Sequence, residues 1–149
     1  PRKNELKDYL NQNNIKENYE MAVEFAGYMP LKTKNLLLNE DFWKFRKAFI
    51  KKVLDEDSPI EIAEFSQKLE IKSTCIIIQA LIFDLLLKKI NYKVKFNIDF
   101  EDEIQALSMK VSNKGLFKWY DAVRDFIQES KYNLNIKLSL ENLFLKKPF

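Results

Sequence analysis

Two runs of carboxylates are the first places to look for chemistry: Asp55-Glu56-Asp57, and the stretch from Asp99 to Glu103. Clustered carboxylates can hold a divalent cation or divide acid and base roles between them. Both runs, however, stand at predicted helix starts, where unpaired N–H groups and the helix dipole favour negative charge, so capping accounts for them. Lys44, Lys47 and Lys51 share one helix face and could touch phosphates. Phe42, Phe45 and Phe49 take the opposite face, which makes the lysines the solvated side of an amphipathic helix. Cys75 stands in an apolar run and reads as a small buried hydrophobe. Asp84 lies in the same run. A carboxylate there must be paired or must cap something, and Lys88 at i+4 is the nearest candidate.

The residue types that are missing exclude most enzyme chemistry. Histidine is absent, which removes Ser-His and Cys-His nucleophile pairs and histidine metal sites. The single cysteine can close no internal disulfide and finds no second thiol for zinc. The only glycines are Gly27 and Gly115, so neither common glycine-rich phosphate loop can be written. No catalytic, cofactor-binding or metal residue is assigned, and no cofactor is expected. The 25 Lys+Arg against 22 Asp+Glu leave a net charge of +3. That surplus is spread along the chain, unlike the concentrated patch of a nucleic-acid binder. Only Arg2, Arg46 and Arg124 are arginine. The lysine excess, with many Ile and Asn, reads as AT-rich coding bias.

At 149 residues, 46% hydrophobic and 13% aromatic, the chain has enough apolar mass for a core and the size of one domain or one domain plus a fragment. It begins without Met, and residues 1–7 show no signal peptide. We read it as an excised piece of a longer cytoplasmic protein. The hydrophobic pattern is helical nearly throughout and predicts an all-α protein of seven or eight helices. A polar helix is expected over residues 4–13, with Leu6 and Leu10 on one face, and a second over 15–26 that stops at Gly27. Pro30 opens a short helix to about residue 38. Asn39 caps the next, which carries Phe42, Phe45, Phe49 and Val53 on one face. Ser58 and Glu61 match a capping box with Pro59 at the first helical position.

The most apolar element runs from Cys75 to Leu87, capped by Ser73 or Thr74, and its stretch from Ile76 to Leu87 is expected to be central and nearly solvent-free. It falls short of the roughly 20 apolar residues of a membrane span, and Gln79 and Asp84 interrupt it. The alternating run Tyr92-Lys93-Val94-Lys95-Phe96 has no partner strand and reads as an extended loop. Asp99 is expected to cap a helix with Phe100, Ile104, Leu107 and Val111 inward. Asn113 is expected to cap another with Leu116, Trp119, Tyr120, Val123 and Ile127 inward. The last helix turns Ile136, Leu140, Leu143 and Phe144 to the core.

Three segments, in order, resemble the delta-prime subunit of the bacterial DNA polymerase III clamp loader. The stretch from Asn133 to Lys146, NLNIKLSLENLFLK, is similar to the asparagine-then-leucine-rich ending of that subunit's last helix. The helix with Asp84 and Lys88 is similar to its central collar helix. Gly27-Tyr28-Met29-Pro30-Leu31 resembles the Gly-x-x-Pro-Leu turn near the end of its AAA+ lid domain. The resemblance implies a lid tail over residues 1–38 and a helical collar domain over 39–149. Related clamp-loader ATPases carry a nucleotide-contacting arginine where Pro30 stands, so the resemblance implies a non-hydrolysing stator within the DNA polymerase III holoenzyme. The implied partners are the delta and tau/gamma subunits, met through the collar. The sliding clamp and primed DNA are met only through the whole assembly, and no membrane is involved. Phe117, Phe126, Leu138 and Leu145 fall beside or outside the inward rows and are the candidate interface residues. A lysine-rich nucleic-acid-binding module is the alternative reading.

Overall fold

Asn39 shows how these helices are started. Its side-chain oxygen accepts the Phe42 N–H at 3.1 Å, with Glu40 and Asp41 in the first turn and Lys51 and Lys52 in the last. Both charge placements complement the helix dipole. The computed structural model describes residues 4, 18–55, 57–132 and 135–149, and these are all-helical, with no strand. The described α-helices are α1 (Tyr19–Phe25), α2 (Pro30–Leu38), α3 (Glu40–Leu54), α4 (Pro59–Ser66), α5 (Ile71–Lys89), α6 (Glu101–Ser108), α7 (Asn113–Glu129) and α8 (Ile136–Leu145). A 3-10 turn, Ile98–Phe100, leads into α6. The helix expected over residues 4–13 lies outside the described residues apart from Asn4.

Local chemistry sets most of the remaining boundaries. Beyond α1, Gly27 adopts φ +60°, the Tyr28 N–H reaches Val23 O at 3.0 Å and the Gly27 N–H reaches Glu24 O at 3.1 Å. These are the two bonds of a Schellman ending, and they satisfy carbonyls the helix leaves open. Pro30 and Pro59 both stand at first helical positions, and Ser58 and Glu61 close a reciprocal capping box. The run from Tyr92 to Phe96 is a loop.

Three starts differ from the sequence reading. α5 begins at Ile71 rather than after Ser73 or Thr74, and the Thr74 hydroxyl instead donates to Ser66 O at 3.4 Å, tying α5 to the end of α4. α7 is capped by Ser112, whose Oγ accepts the Gly115 N–H at 2.9 Å, and Asn113 is already helical. Asp99 caps no α-helix, because its carboxylate is committed to Arg46.

The core forms around α5, which packs on α6 and α7, while α8 packs on both α4 and α7. Ile77, Ile78, Leu81, Ile82 and Leu85 are fully buried. The expectation of a solvent-free helix is corrected at two positions: Ile76 is 41% and Phe83 44% exposed. An all-round apolar helix needs cover on every side, and the line Ile76–Gln79–Phe83 receives only part of it from the described residues. After α8 the chain folds back. Lys147 Nζ donates to Val53 O at 2.9 Å near the end of α3, Pro148 lies against Gly115, and the Phe149 ring meets Trp119 edge-on at 5.7 Å.

Candidate subunit interface

The buried polar groups hold elements together. Asp84, fully buried on α5, accepts the N–H groups of Lys95, Phe96 and Asn97 and the Asn97 side-chain amide, at 2.8–3.3 Å. Burial raises its carboxyl above the usual range, and these four donors pull it back part of the way. Asn97 Oδ1 in turn accepts from Arg46 at 2.7 Å, and Arg46 closes a bidentate pair with Asp99 at 2.7 and 3.0 Å. Trp43 and Phe100 flank the guanidinium within 6 Å. This chain of bonds ties α5 to α3 through the loop. The expected partner of Asp84 is therefore corrected: Lys88 pairs with Glu101 at 2.6 Å. Arg46, which carried no role in the sequence reading, is the central cation of the knot.

The other sequence candidates sit in ordinary surroundings. Asp57 pairs with Lys52 at 3.0 Å, Lys44, Lys47 and Lys51 are exposed, and Glu56 lies outside the described residues. Burial pushes the Cys75 thiol up to about 12. Among the described residues no group of three or more His, Cys, Asp or Glu side chains could hold a metal. No helix among them is long and apolar enough to cross a membrane.

The four residues expected at an interface divide between surface and core. Phe117, Leu138 and Leu145 are exposed by 55%, 52% and 67%. Phe126 is corrected: it is buried, because it continues the inward row Leu116, Trp119, Val123 at helical spacing. Tyr120 changes places with it. Expected inward, it is exposed and lies beside Phe83 in an apolar groove of about 280 Å³ between α5 and α7, which Phe25 of α1 and Phe96 of the loop also line. A second opening, about 550 Å³, shares Ile76 and Gln79 with the first and continues towards Lys72, Ile127 and Lys131. The sequence reading missed this trough. Its one available signal was Gln79, a polar residue at i+3 from Ile76 that marks the less covered side of an otherwise apolar helix. A third opening, between α7 and α8, is lined by Asp125, Glu129 and Leu145.

Among the described residues, the Asp84–Asn97–Arg46–Asp99 knot holds helices to one another, and the openings described lie in grooves between helices of an all-α domain. Its family can be given. Residues 40–147 match the family model described as DNA polymerase III, delta subunit, C terminal, and the chain belongs to that family, a component of the clamp loader. The match opens at the first residue of α3 and takes in α4 to α8. No curated protein and no solved structure matches the chain.

Proposed function

We propose that the chain is the assembly end of a delta-prime-type clamp-loader subunit, with residues 39–149 as its collar domain and residues 1–38 as the tail of its lid. The collar packs beside those of the delta and tau/gamma subunits and holds the ring together in the cytoplasm while the sliding clamp is placed on primed DNA. The part has no catalytic step of its own. The family match over residues 40–147 is to the delta subunit and supports a clamp-loader subunit. The delta-prime assignment rests on the resemblance of the Gly27–Leu31 turn, the Asp84 helix and the stretch 133–146. The start of the match at the residue after Asn39 supports the division into lid tail and collar. Pro30, with no charge and no N–H to donate, supports a stator that leaves nucleotide alone. Exposed Phe117, Leu138 and Leu145 are the kind of apolar side chain that anchors subunit contacts.

Mixing the chain with purified delta and tau/gamma subunits tests this. We expect a complex that survives gel filtration and is weakened by Phe117→Asp or Leu145→Asp, with each variant still folded. A chain that stays alone in that mixture but binds DNA, with the steep salt dependence of phosphate contacts, would instead favour the nucleic-acid module.

A further inference from the structure

We propose that the trough between α5 and α7 receives an acidic amphipathic helix of a neighbouring clamp-loader subunit. The inference rests on the assembly reading and adds the chemistry of the partner. The two openings form one surface because they share Ile76 and Gln79. Along α5 the trough extends from Lys72 to Phe83, about 16 Å at the α-helical rise, which is the length of three turns of a helix laid alongside. One end is aromatic, with Phe83 and Tyr120 both more than two-fifths exposed. The other end is basic. Lys72 and Lys131 line it, and no carboxylate lines either opening.

Among the described residues neither lysine is in an ion pair, and Lys131 Nζ donates to Gln128 Oε1 at 3.5 Å. An apolar floor with two uncompensated cations at one end is complementary to a helix with an apolar row and carboxylates at the matching end. Gln79, at the junction, gives such a helix one polar contact midway.

The test uses the complex assembled from this chain with delta and tau/gamma. Zero-length carbodiimide coupling joins an amine only to a carboxylate it touches. We expect Lys72 or Lys131 to be joined to Asp or Glu of a helical segment in another subunit. We also expect K72E/K131E to weaken assembly about tenfold or more, with circular dichroism and thermal midpoint unchanged. Phe83→Ser supplies the apolar arm. Assembly of K72E/K131E and of Phe83→Ser at wild-type affinity overturns the proposal while leaving the assembly reading standing. Coupling only between copies of this chain overturns it in favour of self-association, and loss of DNA binding in K72E/K131E in favour of nucleic acid. Failure of the wild-type chain to assemble overturns the assembly reading itself.

Discussion

Asp84 can remain a carboxylate inside the most apolar helix because four N–H donors converge on it. Replacing it by Ala strands three backbone N–H groups in the interior. We expect Asp84→Ala to lose about 3 kcal/mol in urea unfolding, and Asp84→Asn, which keeps one acceptor, to lose less. The need for a cap was legible in the sequence and its identity was not, since the donors lie 11–13 residues away on a loop that no periodicity describes. The apolar row misjudges cover in the same way. Leu81, fully buried, is expected to cost roughly 2–5 kcal/mol on change to Ala. Phe83, 44% exposed, is expected to cost clearly less in the same unfolding assay, because much of its ring is already in water. Cys75 provides a pH test. Its thiol ionises at about 12 in the folded state against an ordinary 9.0, so stability it confers is complete below that ordinary value and declines as pH rises through the interval. The stability advantage of the wild type over Cys75→Ala is therefore expected to be constant up to about pH 8 and to shrink between pH 9 and 11, measured by urea unfolding at each pH.

At the scale of elements, the starts of α2, α3 and α4 were readable because a cap or a first-turn proline is a local event. Asn39 and the Ser58–Glu61 box need only residues three apart. Ser112 was passed over for Asn113 because both are cap formers and the choice depends on which residue's backbone stays extended. Gly115 shows a constraint that is invisible locally. In the first turn of a helix, Gly→Ala ordinarily helps, by an amount approaching 1 kcal/mol in helix interiors. Here a Cβ would stand 2.9 Å from Pro148 Cβ. We expect Gly115→Ala to destabilise the domain, and the loss to be relieved in the Gly115→Ala/Pro148→Gly double variant. A double-mutant cycle on thermal midpoints checks this: an additive result would mean that the tail does not press on α7.

Over the whole molecule, fold class was legible from composition and period because nearly every segment repeats at helical spacing. The trough was not, because it depends on how far α6 and α7 cover α5, and only packing decides that. The assembly reading carries a prediction about nucleotide: calorimetric titration with Mg-ATP is expected to show no heat of binding, since Pro30 and a chain with two glycines offer neither arginine nor phosphate loop. A micromolar site would contradict it. The two tryptophans have a further consequence. Trp43 donates its indole N–H to Leu36 O on α2, and Trp119 donates to Leu143 O on α8. Each ring is thus a fluorophore seated at a different joint, and Trp43 straddles the proposed boundary between lid tail and collar. With Trp119→Phe and Trp43→Phe, emission reports each joint alone. Red shifts at one common denaturant concentration would mark α2 and the collar as a single cooperative body, whereas an earlier shift for Trp43 would make the lid tail a hinge that lets go while the collar holds.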